Sequence, residues 1–232
     1  MKKLAAALLF AALGFAQQPE MKTKAVELKN IKAEELPRLM SAVSGITNYE
    51  FTRDNRFLIL RGTPEGLSLA ESIIKQIDVA PKNLDLTFYI ISASPQPNAD
   101  KLPADLEPVI KQLRSAFVYQ GYKVLETTVM RIREGSGGEV SGQLPGQATG
   151  GALYQIRCQR SRVTEGTPNV IRIDNLKIGG KFPMTNAKGE ATWIDTGIST
   201  DVDMKEGQKI VVGKSTMNEA AAFLVVSAKV LD

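Results

Sequence analysis

The stretch NRFLILRGTPEG, from Asn55 to Gly66, carries a strand directly into a helix. Phe57 to Arg61 is a short apolar run of strand character. Thr63 supplies a hydroxyl to cap a helix. Pro64 suits the first helical position, where an amide N–H would have no intrahelical partner, and Glu65 puts a negative charge at the positive end of the dipole. Leu67, Ala70, Ile73, Ile74 and Ile77 then form an apolar stripe at helical spacing, and Asp78-Val79-Ala80-Pro81 ends it.

The flanks extend this pattern upstream. Asn48 to Thr52 reads as a strand joined to Phe57–Arg61 by the polar residues Arg53, Asp54, Asn55 and Arg56, a hairpin connection. Before it, Leu36, Leu39, Met40 and Val43 predict a helix over about Ala33 to Ser44, closed by Gly45 and tolerating Pro37 only in its opening turn. Lys24 to Leu28 reads as a first strand. Residues 22–81 are thus expected to form a small βαββα domain, two helices covering one face of a three-stranded sheet.

The remaining chain, 84–232, has the period-two pattern of strands. Leu84, Leu86, Phe88 and Ile90 alternate with Asp85, Thr87, Tyr89 and Ile91. A helix is expected at about 104–116, and Val118 to Arg133 reads as one long strand or a bulged pair broken at Gly121. Residues 134–151 hold seven of the chain's 19 glycines and read as a flexible loop, either a long hairpin connection or a mobile segment that orders on a partner. Strands resume at Ala152–Val163, Asn169–Ile178, Ala191–Asp203, Gln208–Val212 and Ala221–Leu231. The fold class expected is therefore α+β, with a mainly antiparallel sandwich or partial barrel following the first domain. Alternation along Ala152, Tyr154, Ile156 and Cys158 turns Cys158 inward, as an inert thiol.

At the start of the chain, Lys2 and Lys3 precede an apolar run from Leu4 to Phe15, with Gly14 and Ala16 at −3 and −1 before Gln17. This is the pattern of a secretory signal peptide, residues 1–16, and about 12 apolar residues are too few to span a bilayer. No Cys follows for lipidation. Losing Lys2 and Lys3 lowers the net charge of +4 by two, so the mature chain is nearly neutral and nucleic acid is not expected as a partner.

Composition narrows the chemistry. The absence of His removes every histidine-based triad and histidine-ligated metal site, and one Cys permits no intrachain disulfide or CxxC pair. Gly213-Lys214-Ser215 imitates the end of a phosphate-binding loop, but Gln208 stands where that pattern needs glycine and a strand follows rather than a helix. Asp195, Asp201 and Asp203 fall close together without the spacing of a Ca²⁺ loop and read as solvated surface. Arg131, Arg133, Arg157 and Arg172 lack interleaved aromatic residues. No catalytic residue, cofactor or metal site is expected, and the protein is read as a non-enzyme.

The N-terminal unit, with KAVELKNIKAEELPRLM, NRFLILRGTPEG and ESIIKQIDVAP, resembles the periplasmic N-domain (the NolW-like short domain) of bacterial secretins, the ring-forming outer-membrane channels of secretion and pilus systems. That resemblance covers residues 22–81 and is most specific from Arg61 through Gly62, Thr63, Pro64 and Glu65. It implies packing of copies side by side through sheet and helix surfaces, with Arg61, Gly62, Thr63, Pro64 and Glu65 as interaction residues. A second stretch, Glu206 to Gly213 with the strand Ala221–Leu231, is similar to the end of the secretin channel module, except that Lys214 replaces a second glycine. The chain is short for N-domains, a double-walled barrel and a membrane rim together, which argues against an autonomous channel.

The resemblance implies an exported assembly module, periplasmic or outer-membrane-associated, that binds itself or a component of an envelope secretion or type IV pilus system. The alternative is a stand-alone periplasmic binding module for peptide or cell-wall glycan, with the Gly-rich loop as its lid.

Overall fold

A computed structural model describes residues 20–98, 101–145, 152–185, 191–217 and 220–231. The expected signal peptide lies outside the described residues. The chain divides into two compact units, Met1–Ala80 and Pro81–Asp232.

In the first unit, β1 (Lys22–Glu27), α1 (Leu36–Ala42), β2 (Ile46–Phe51), β3 (Phe57–Gly62) and α2 (Pro64–Ile77) follow one another. The sheet order is β1-β3-β2, antiparallel throughout. Because strand side chains alternate, Leu58 and Leu60 point one way and are fully buried with Leu36, Met40, Leu67, Ala70 and Ile74 of the helices. Burying these stripes is what makes so small a unit fold, since helices this short have little stability alone. The helix expected over Ala33–Ser44 is shorter. Ala33–Glu35 forms a 3₁₀ turn, Pro37 sits in the first turn of α1, and Val43 is already extended.

The second unit contains β4 (Asn83–Ser94), α3 (Glu107–Ala116) after a 3₁₀ turn at Ala104–Leu106, β5 (Gly121–Arg133), β6 (Gly138–Gln143), β7 (Leu153–Cys158), β8 (Arg160–Thr164), β9 (Val170–Thr185), β10 (Ala191–Lys205), β11 (Ile210–Met217) and β12 (Ala220–Leu231). They form two antiparallel sheets. One has the order β10-β9-β7-β6 with β8 also paired to β9; the other has the order β11-β12-β4-β5. The molecule is α+β, and this unit is a two-sheet sandwich rather than a partial barrel.

Two cores hold it. Leu84, Leu86 and Phe88 meet Ile156, Ile171 and Ile173 between the sheets, each fully buried. Tyr89, Ile91 and Val225, on the opposite face of the same strands, pack under Val109, Ile110 and Leu113 of α3. Strands β4 and β12 are therefore buried on both faces, which is why their sequences run apolar (FYII, FLVV) instead of alternating cleanly.

Three expectations need correction. Residues 134–151 are not a continuous loop, because β6 occupies 138–143 and pairs with β7. Its glycines serve close approach: a Cβ at Gly138 would stand 2.6 Å from Ile132 Cγ2, and one at Gly142 would meet the Tyr154 ring at 2.6–2.7 Å. The strand expected from Val118 begins only at Gly121, since Phe117 to Gln120 turn the chain off α3. The single strand expected over Ala152–Val163 is two, broken at Gln159.

Candidate functional site

The RGTPE segment lies where β3 turns into α2. Thr63 is the N-cap, and its Oγ1 accepts the Gly66 N–H at 3.1 Å. Its own N–H donates to the Gly45 carbonyl at 2.9 Å. Gly45 has φ of +86°, so the chain turns there in the left-handed region that glycine favours. A Cβ at Gly62 would lie 2.2 Å from Gly45 O, and one at Gly66 would lie 2.7 Å from Gly45 C. Backbone thus packs on backbone at this junction. Of the five residues singled out from sequence, Gly62 and Thr63 fasten the fold internally, while Arg61, Pro64 and Glu65 are exposed. Gly45 and Gly66 complete the junction; the positive φ required after α1 was the sequence signal for the first of them.

The far end of α2 is tied as firmly. Asp78 is its C-cap, and its carboxylate accepts the backbone N–H groups of Lys29, Asn30 and Ile31 at 2.8, 2.6 and 2.9 Å. Burial raises the pKa of this carboxyl, but the three N–H donors stabilise the charged form and win, holding it below the ordinary aspartate value.

With Leu58 and Leu60 directed to the helices, the opposite sheet face presents Ala25, Ile59 and Glu50 in one cross-strand row and Thr23, Arg61 and Asn48 in the next. Ile59 is 36% exposed. This face is open among the described residues, as are the outer edges of β1 and β2.

In the second unit the charged candidates are spread apart. Arg131 makes a bidentate pair with Asp85 at 2.7 and 2.9 Å on one sheet. Arg172 makes another with Asp203, both bonds 2.7 Å, on the other sheet, where Arg157 also pairs with Glu139. Hydrogen bonds from these guanidinium groups hold Asp85, Asp203 and Glu139 below their ordinary carboxylate values. Arg133 is the last residue of β5, and its carbonyl accepts the Ser161 hydroxyl at 3.4 Å. Asp201 accepts the Asn175 N–H at 2.7 Å. Asp195 pairs with Lys181 along the backbone, and its side chain lies outside those described. Among the described residues no three acidic or thiol groups gather as metal ligands.

Gly213, Lys214 and Ser215 lie in β11, a strand, so no helix begins at them. The Lys214 ammonium instead stacks over Phe117 and Tyr119 at 5.1 and 5.3 Å. Cys158 is 3% exposed, and burial pushes its thiol pKa up. Glu206 closes a turn rather than a site: its carboxylate accepts Val230 N–H at 2.9 Å and the Asn169 amide at 2.7 Å.

The second unit also presents strand edges. In the order β10-β9-β7-β6, each end strand has one neighbour within its sheet among the described residues. No family model and no curated protein matches the sequence. Solved structures do match. A type II secretin from enteropathogenic Escherichia coli, GspD, superposes with a TM-score of 0.58 at 12% identity, over 90% of this chain and 87% of that one.

The fold is secretin-like.

The type IV competence pilus secretin PilQ of V. cholerae matches over 92% of this chain and 78% of its own, with a TM-score of 0.54 at 10% identity. The Salmonella type III secretion injectisome secretin InvG matches over 91% and 87%, with a TM-score of 0.51 at 15% identity. Coverage of this extent takes in the β-rich unit, where the sequence carried a resemblance only over residues 206–231.

Proposed function

We propose that the chain is a non-catalytic assembly subunit of the cell envelope, one copy in a multi-copy wall of a secretion or type IV pilus system. Strand order carries this reading. Since β10, β9, β7 and β6 are antiparallel in turn, β6 runs opposite to β10, and β6 of one copy can continue the sheet onto β10 of the next. Such a contact is head-to-tail; repeated around an axis it closes a ring and leaves no open edge in that sheet. The secretin-like fold, spanning both units, supports it.

The first unit serves as a docking piece of the secretin N-domain kind. Its open sheet face and the exposed Arg61, Pro64 and Glu65 at the head of α2 contact a neighbouring copy or another component of the apparatus. The protein is exported and resides in the periplasm or at the outer membrane. Among the described residues no helix is long and apolar enough to cross a membrane. The chain needs no cofactor and does not act on nucleic acid. The reading as a peptide or glycan binder rested on a Gly-rich lid, and β6 takes up six residues of that segment.

Cross-linking in intact cell envelopes, followed by mass spectrometry, tests the proposal. Links between copies that join residues 138–143 to residues 197–205 are expected. Recovery of the protein solely as an unlinked monomer would overturn it.

A further inference from the structure

A groove of about 500 Å³, within the range that holds small ligands, runs beside α3. It is lined by Leu102, from the segment leading into the helix, and by Glu107, Pro108, Ile110, Lys111 and Arg114. Lys111 and Arg114 are three residues apart and so share one face of the helix. Two cations stand here against one carboxylate. Elsewhere in this unit Arg131, Arg157, Arg162 and Arg172 each hold a carboxylate. Neither Lys111 nor Arg114 does so among the described residues.

Arg114 stands instead over an aromatic ring. Its guanidinium carbon is 5.6 Å from the ring centre of Tyr122, a fully buried residue of β5. The Tyr122 hydroxyl is buried too, and it has no hydrogen-bond partner among the described residues. A buried donor left unmade is costly, and folded proteins keep few of them. Burial pushes this phenol above the ordinary tyrosine pKa, so it keeps its proton and remains a donor. The same residue holds the segment that leads to Leu102: its backbone N–H and carbonyl both bond to the Asn98 amide, at 3.0 Å each.

We infer that this groove binds a monocarboxylate with an apolar chain, of the fatty-acid type. The chain lies on Leu102, Pro108 and Ile110. The carboxylate draws the Arg114 guanidinium off the ring face, which uncovers the Tyr122 hydroxyl, and accepts hydrogen bonds from both. A planar guanidinium fork matches a carboxylate with two parallel bonds, and Lys111 adds attraction. Glu107 in the same groove disfavours a doubly charged head such as a phosphate monoester. The site lies within one copy and does not depend on the assembly reading.

Calorimetric titration of the full chain with octanoate tests it. Saturable binding is expected. Octanol, with the same chain and no charge, should bind more weakly by about tenfold or more, and octyl phosphate more weakly than octanoate. Arg114→Gln and Tyr122→Phe should each weaken octanoate binding by about tenfold or more, the worth of a hydrogen bond to a charged group. Tyr122→Phe should leave the thermal unfolding midpoint of the free protein undiminished, because it removes a hydroxyl that has no partner; a purely structural hydroxyl would lower it when lost. The inference is overturned if octanoate does not saturate, if octanol binds as tightly, if octyl phosphate binds more tightly, or if either variant binds octanoate as the unaltered chain does.

Discussion

Replacing Gly62 by alanine puts a single methyl group into the contact between the α1–β2 turn and the start of α2. The added Cβ would lie 2.2 Å from the Gly45 carbonyl oxygen and 3.1 Å from both Gly45 C and Ile46 Cα. All three are backbone atoms, so no side chain can rotate away, and relief requires the Gly45 turn to move by about 1 Å, beyond the slack of a close-packed interior. The same turn supplies the carbonyl that accepts the Thr63 N–H at 2.9 Å, so relieving the clash stretches the hydrogen bond. Overpacking of this kind costs about 1–3 kcal/mol and a lost buried hydrogen bond about 1 kcal/mol more. A domain of this size commands about 3–5 kcal/mol in all. The substitution therefore unfolds much of the first unit. Hydrogen exchange on the full chain, read by mass spectrometry, is expected to show peptides from residues 22–80 losing protection while peptides from 83–231 keep theirs. Ser68→Ala, an exposed change on α2, is the control. Full protection in the Gly62→Ala protein would refute the reasoning that this glycine is required by backbone contact.

Other perturbations have directions fixed by the same geometry. Thr63→Ala removes the cap of α2 and should lower the stability of the first unit by about 1 kcal/mol in urea titration, with Thr63→Ser recovering most of it. Asp78 has a folded pKa below its unfolded value, so its contribution is present above about pH 4 and is lost as pH falls through the folded value. Asp78→Asn should therefore destabilise the first unit at neutral pH by about 1 kcal/mol and flatten its acid unfolding profile; an unchanged profile would contradict the role given to the three N–H donors. Phe88→Ala, in the core between the sheets, should cost the second unit about 3–5 kcal/mol and leave exchange in the first unaltered.

How far the sequence carried depends on how local each signal was. The first unit was readable because Thr63, Pro64 and Glu65 mark a helix start chemically, and because the apolar run Phe57–Arg61 follows the polar connection Arg53–Arg56 directly. The opening of α1 was misplaced by three residues because a 3₁₀ turn and an α-helix share the pattern of Ala33 to Met40. In the second unit β6 was hidden by its glycines, whose reason is contact with Ile132 and Tyr154, side chains of β5 and β7 that only the folded sheets bring against it. The β7–β8 break was equally illegible, since it answers the left-handed Asn175 across the ladder. Sheet edges left no residue pattern at all. They emerge only from strand order, which is why the likeness across the β-rich unit showed in sequence over residues 206–231 alone.

The central claim is that copies of this chain join through sheet edges into a closed wall. Measuring the mass of the native particle, extracted from cell envelopes in mild detergent, tests it most directly. The account predicts a discrete species at a high integral multiple of the mature chain, visible as a ring by electron microscopy. A particle of one chain's mass at every concentration, extracted under conditions that preserve other envelope complexes, would contradict it.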